Sequence, residues 1–294
     1  MGRDLAQAYP GVRRLYEEAD DILGYPLSAL CFEGPAEKLD DTVYTQPALW
    51  VTSLAVLHAL EAEGKLPECH MMAGHSLGEL TALAAAGALE FADGLRLVQE
   101  RGRLMQLAGE RQPGSMAAVL KMEDEDVEQA CKQAAEATGK PVQIANYNSP
   151  GQVVISGDQE ALTQAIERLK EKGGRRIIRL AVSIAAHSPL MAGIVRDFRA
   201  AVDATPMRLP HTTVVANISA RPLLSVDEIR DELAGQLTWS VRWTDSVRYM
   251  AGQGVGRFVE IGPKDVLSKL VSRIEPGAQV VSVGNRAAVE LLQG

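Results

Sequence analysis

The chain has 294 residues, 46% of them hydrophobic, with 30 Lys and Arg against 38 Asp and Glu and a formal net charge of -8. That length carries one large core, or a core with a second module attached, and the acidic balance excludes a general nucleic-acid footprint while leaving room for local basic patches. Cys31, Cys69 and Cys131 are far apart without metal-ligand spacing, the start "MGRDLAQAYP" is no apolar signal segment, and every apolar stretch breaks well short of a membrane span. The expectation is a cytoplasmic protein in a reducing compartment, with neither nucleic acid nor membrane as partner.

Residues 3–30 carry a helical pattern broken at Tyr9-Pro10. Val12, Leu15, Tyr16, Ala19, Ile22 and Leu23 recur at three- and four-residue spacing, and Gly24 supplies a stop. After Thr45-Gln46-Pro47, "ALWVTSLAVLHALEAEG" reads as a buried helix, and "CHMMAGH" as a buried strand ending at Ser76. "LGELTALAAAGAL" and "FADGLRLVQERGRLMQLAG" read as two helices. From residue 112 the order becomes strand ("GSMAAVL"), helix ("DEDVEQACKQAAEATG"), two strands joined at Asn148-Ser149-Pro150-Gly151, helix ("DQEALTQAIERLKEKGG") and strand ("RRIIRLAVS"). This β-α-β-β-α-β run is the ferredoxin-like order. Beyond it the pattern returns to α/β, with a helix after Pro189 and strands at "TTVVANIS" and "RFVEIGP". The expected architecture is an α/β domain, residues 1–111 and 184–294, with a ferredoxin-like subdomain inserted at 112–183.

The stretch "MMAGHSLGE" places Gly-x-Ser-x-Gly between a strand and a helix. In that setting the glycines relieve crowding of strand against helix, and the turn exposes the serine hydroxyl as a nucleophile. The following helix would direct N–H groups, that of Leu77 among them, at a developing oxyanion. The competing reading is a Ser76 helix cap, with Glu79 completing a capping box. A nucleophile needs a base, and the chain offers His58, His70, His75, His187 and His211. His75 adjoins the serine and is read as packing or bracing the turn, and His58 as a satisfied core or edge histidine of the apolar helix. His187 follows a strand and precedes Ser188-Pro189, a cap and first helical position. The positive helix end would keep its ring neutral, as a base must be. A plain strand-end histidine is the alternative. Arg101 shares a helix face with Leu97, Val98, Leu104 and Met105. It either snorkels at the edge of that face or receives an anion in a cleft, where its donor fork suits a carboxylate.

Taken together, "TQPAL" (45–49), "GHSLGEL" (74–80), "ERGRLMQ" (100–106), "NYNSPGQVVISG" (146–157), "VSIAAHSPLM" (182–191), "VRWTDSV" (241–247) and "FVEIGPKDVLSKL" (258–270) closely resemble the malonyl-CoA:acyl carrier protein transacylases and the related acyltransferases of polyketide synthases. The resemblance spans nearly the whole chain. It implies an α/β-hydrolase-like large domain with an inserted ferredoxin-like subdomain, and transfer of malonyl from malonyl-CoA to the phosphopantetheine thiol of holo acyl carrier protein, with no bound cofactor or metal. It also implies Ser76 as nucleophile, His187 as base and Arg101 as holder of the malonyl carboxylate. Gln236 would orient the histidine through its main-chain carbonyl, and Gln46 and Asn148 would lie near the acyl pocket. The resemblance further implies a first apolar strand and a "GQGSQ"-like segment ahead of "MGRDLAQ", which this sequence lacks. An acyl hydrolase, a discrete acyltransferase of a polyketide pathway and an inactive carrier-protein binding module are the competing readings of the same pattern.

Overall fold

The computed structural model describes residues 1–292. The chain opens with α1 (Arg3–Ala8) and α2 (Pro10–Leu23). Pro10 starts α2, its Val12, Tyr16, Ala19 and Leu23 are buried on one face, and Gly24 ends it in the left-handed conformation at φ 73°. Two short helices, α3 (Leu27–Glu33) and α4 (Ala36–Leu39), lead to α5 (Thr42–Ala62). That helix begins nearly two turns before the apolar run expected from the sequence, because Asp41 accepts the Val43 N–H as a cap, and Pro47 lies inside it. Apolar on every side, α5 is the central rod of the main core.

Then come β1 (Met71–Met72), α6 (Leu77–Ala85) and α7 (Phe91–Arg111). The expected buried strand is therefore only two residues long, and Met71 and Met72 are half-buried. Among the described residues β1 pairs with a single neighbour, over those two residues, so the strand ends where the pairing ends.

The segment from β2 (Gly114–Leu120) through α8 (Asp124–Thr138), β3 (Val142–Ser149), β4 (Gln152–Asp158) and α9 (Gln159–Glu171) to β5 (Arg176–Arg179) forms its own antiparallel sheet, ordered β3-β4-β2-β5. Numbered within the segment this is 2-3-1-4, the ferredoxin-like arrangement. Both helices cover one face, where Val127, Ala130, Leu162 and Ile166 meet Val119, Ile144 and Ile155 in a separate core.

The rest comprises α10 (Ala192–Ala204), β6 (Thr213–Val214), α11 (Val226–Gly235), α12 (Trp243–Gly252), β7 (Arg257–Ile261), α13 (Val266–Ile274), β8 (Gln279–Val283) and α14 (Arg286–Leu291). β6 runs parallel to β1, with Met71 opposite Thr213 and Met72 opposite Val214. β7 and β8 form a second parallel pair over five residues. The two pairs share no ladder among the described residues. The ferredoxin-like segment docks on the remainder through bonds from Tyr147 N to Val241 O and from Val241 N to Ala145 O.

Candidate active site

Ser76 sits where β1 turns into α6, at φ 53° and ψ -111°, a backbone conformation costly for any residue but glycine. A Cβ built on Gly74 would lie 1.9 Å from the Gly78 carbonyl oxygen, so only glycine fits there, whereas a Cβ on Gly78 would meet nothing within 4 Å. The crowding expected of both glycines thus falls on Gly74, which must pass close to the Gly78 main chain. The Ser76 side chain makes no capping bond. Its Oγ lies 2.8 Å from His187 Nε2 and accepts from Arg101 Nη2 at 3.0 Å. Nor does Glu79 close a capping box: its Oε1 accepts from the Asn217 main-chain N–H at 2.8 Å.

His187 is 3% exposed and has φ 55°. Its Nδ1 lies 2.7 Å from the Gln236 carbonyl oxygen. A carbonyl only accepts, so Nδ1 carries the proton and Nε2 is left as a lone pair aimed at Ser76. Burial first, and then the nearby Arg101 charge, push the imidazole down to about 3. Ser188 caps the turn Pro189–Met191, which runs directly into α10, so His187 does stand at the start of a helix, as its Ser188-Pro189 neighbours indicate.

Arg101 is 2% exposed and does not snorkel. Nη1 donates to Gln46 Oε1 at 2.7 Å, and Nη2 to Ser76 Oγ and, at 2.7 Å, to Gln236 Oε1. All three acceptors are neutral, Nε is buried without a partner, and burial lowers the guanidinium to about 10, leaving it charged at neutral pH. The guanidinium makes its direct bonds to neutral oxygens alone, with the Glu79 carboxyl farther back as the charge that favours its cationic form, so its donors could also receive an anion beside the serine hydroxyl.

Gln46 thus orients Arg101, and its Nε2 rests on Met105 Sδ at 3.4 Å. Asn148 is not aimed at the serine: its Oδ1 holds His75 Nε2 at 2.8 Å and ties the ferredoxin-like segment to the elbow. The Leu77 N–H occupies the first position of α6, where no intrahelical acceptor exists. The Ser76 N–H is spent on Asn217 Oδ1 at 2.8 Å, and Asn217 Nδ2 donates to Gly74 O at 2.7 Å.

Asn217, Gln143 and Glu232 were not singled out in the sequence, and Glu79 was read only as a capping-box residue. Asn217 lies three residues past β6 and left no local signal. Gln143, whose Nε2 donates to the carbonyls of His187 at 2.8 Å and Thr238 at 3.0 Å, reaches the site from β3 and left no local signal. Among the described residues no group of three or more His, Cys, Asp or Glu side chains is placed to hold a metal ion.

The chain belongs to the acyl transferase domain family, whose model matches residues 1–285. Several of its relatives are malonyl CoA-acyl carrier protein transacylases. It is 43% identical over 275 residues to the malonyl CoA-acyl carrier protein transacylase of Escherichia coli (strain K12), covering 93% of this chain and 88% of that protein. Against the Bacillus subtilis (strain 168) transacylase it is 40% identical over 291 residues, 99% of this chain and 91% of that one. Among solved structures, an acyl carrier protein S-malonyltransferase from Vibrio cholerae superposes with a TM-score of 0.95 at 38% identity, over 100% of this chain and 95% of that one. A complex of a type II PKS acyl-carrier protein with its malonyl-transacylase gives a TM-score of 0.95 at 39% identity, over 99% of this chain and 93% of that one.

Proposed function

We propose that this chain transfers a malonyl group from malonyl-CoA to the phosphopantetheine thiol of holo acyl carrier protein through an ester on Ser76. The observation that carries the reading is the hydroxyl of Ser76 held between a neutral His187 nitrogen at 2.8 Å and a buried Arg101 nitrogen at 3.0 Å. One group takes a proton and the other takes a carboxylate. A malonyl thioester has both needs, and the malonyl-transferring relatives support the choice.

Ser76 Oγ attacks the thioester carbonyl as its proton passes to His187 Nε2. The Gln236 carbonyl, already bonded to Nδ1–H, steadies the imidazolium so formed. The Leu77 N–H faces the developing oxyanion. The tetrahedral intermediate expels coenzyme A, whose sulfur takes the proton back from His187, and malonyl remains on Ser76 with its free carboxylate on Arg101. The carrier-protein thiol then gives its proton to His187 and attacks the ester, and Ser76 leaves with that proton. Two thioester–ester exchanges of this kind give ping-pong kinetics.

In this reading residues 112–183 are the smaller subdomain and 1–111 with 184–294 the larger one, and the carrier arm enters between them. Cys31, Cys69 and Cys131 are free thiols, and no helix among the described residues is long and apolar enough to cross a membrane, which supports placing the enzyme in the cytoplasm.

Intact mass after mixing with malonyl-CoA, followed by peptide mapping, tests the assignment. A malonyl adduct on Ser76 that leaves when holo acyl carrier protein is added is expected. No adduct, or one on another residue, would overturn it.

A further inference from the structure

Behind the serine lie two acidic side chains that the reaction as written does not use. Glu79, on the first turn of α6, is wholly buried, and Glu232, on α11, is 8% exposed. Their carboxyls sit on successive main-chain N–H groups, Glu79 Oε1 on that of Asn217 and Glu232 Oε1 on that of Ile218, and burial raises both above the usual carboxylate range. Two buried carboxylates seated side by side repel each other, which favours one proton shared between them.

Every other group around the pair has a defined role. Glu79 Oε1 accepts from Asn217 N and Nδ2, at 2.8 and 3.2 Å, and Glu232 Oε1 accepts from Ile218 N at 2.8 Å. Glu79 Oε2 accepts from Gln236 Nε2 at 2.5 Å. The Gln236 amide has one orientation, because Arg101 Nη2 requires its oxygen and the Ser76 carbonyl, 3.0 Å from Nε2, requires its nitrogen. Arg101 is the cation facing the pair. On its outer side Glu232 lines a surface cavity of about 450 Å³ with Arg221, Glu228 and Asp231, which gives the pair a path to solvent protons.

We infer that Glu79 and Glu232 share one proton, and that Glu79, so held, grips the Gln236 side chain and acts as a positioning residue that keeps His187 and Arg101 in register with Ser76. The inference rests on the malonyl-transfer reading. With one proton the pair carries a single negative charge, which balances Arg101 and leaves it able to receive the substrate carboxylate. When that proton is lost, two facing carboxylates separate, Gln236 loses its anchor, and both His187 and Arg101 move. Burial and mutual repulsion both raise Glu79 well above the usual carboxylate range, so the loss comes on the alkaline side.

The test is the single-turnover rate of Ser76 malonylation against pH for the wild type, E232Q and E79Q. In E232Q the new amide donates to an ionised Glu79 and accepts from Ile218, the total charge is kept, and Gln236 Nε2 still meets a carboxylate. Its rate at pH 7 should stay within about threefold of wild type, while its alkaline limb moves up by about one pH unit or more, the scale on which facing carboxyls couple. In E79Q the amide nitrogen faces Gln236 Nε2, donor against donor, so malonylation should fall about a hundredfold at every pH, as for a misplaced catalytic group. Infrared difference spectra should show a protonated carboxylic acid carbonyl in the wild type that both variants lose.

If E232Q keeps the wild-type alkaline limb, or if the wild type lacks the acid carbonyl band, the shared proton is refuted. If E79Q loads at the wild-type rate, the positioning role is refuted. Failure of wild-type Ser76 to take malonyl at all would instead overturn the malonyl-transfer reading.

Discussion

In the proposed mechanism His187 can serve as the base because its two nitrogens have different jobs. The Gln236 carbonyl takes the Nδ1 proton at 2.7 Å, and burial holds the ring far below the ordinary histidine range. Malonylation of Ser76 should therefore stay level from pH 7 down to about 5.5, through the region where an exposed histidine near 6.5 would switch off. A rate that halves near pH 6.5 would show that the ring is not held neutral. The same displacement has a consequence for stability. The unfolded chain binds a proton at His187 below about 6.5 and the folded chain does not, so this contribution is fully present above that pH and is lost as pH falls toward about 3. The melting temperature of His187→Asn should fall less than that of the wild type on going from pH 7 to pH 5. Arg101→Ala removes a buried cation bonded to three oxygens, and should cost malonyl loading roughly 2 kcal/mol or more, about 30-fold, but acetyl loading much less. Equal losses for the two acyl-CoA substrates in a loading assay would remove its role as carboxylate holder.

At the scale of elements, the periodic helices could be read from the sequence. The stripe of Val12, Tyr16, Ala19 and Leu23 gave α2, and the run around Arg101 gave the buried face of α7. What could not be read was hydrogen-bond supply. "CHMMAGH" and "TTVVANIS" have the apolar content of full strands, yet each pairs over two residues, because strand length depends on distant neighbours. Glu79 looked like any acidic residue in a first helical turn, and its burial depends on Asn217 arriving from 138 residues away. The elbow itself offers a sharp contrast. Gly74→Ala forces a Cβ into the Gly78 main chain, whereas Gly78→Ala enters open space within a helix, where alanine is favoured by about 1 kcal/mol. Thermal melts should show Gly74→Ala strongly destabilised or unfolded and Gly78→Ala as stable as wild type or slightly more so. A stable Gly74→Ala protein would mean that the turn relaxes more freely than its packing indicates.

Across the whole molecule the candidate site collects residues from α5, the elbow before α6, α7, the turn at 187, the strand end at 217 and the end of α11. Ser76, His187 and Arg101 stood out in the sequence because each has an unusual local setting. Gln143, Asn217 and Glu232 have none, and only the tertiary fold brings them in. The segment from β2 to β5 has its own sheet and core, and meets the remainder through few main-chain bonds. Native-state hydrogen exchange should therefore group the amides of β2, β4, α8 and α9 into one cooperative unit, apart from those of α5 and α7. A single unit covering both would refute the proposed boundaries at 112 and 183. The arrangement of Gln236 also bears on how such an enzyme evolves. The Gln236 side chain accepts from Arg101, the proposed holder of the acyl carboxylate, while its main chain accepts from His187, the proposed base. Substrate range and turnover are consequently epistatic: a lineage that trades Arg101 for an apolar residue to admit uncharged acyl groups also loosens its own base, and has to restore the Gln236 contact by a second change before the broader enzyme regains its speed.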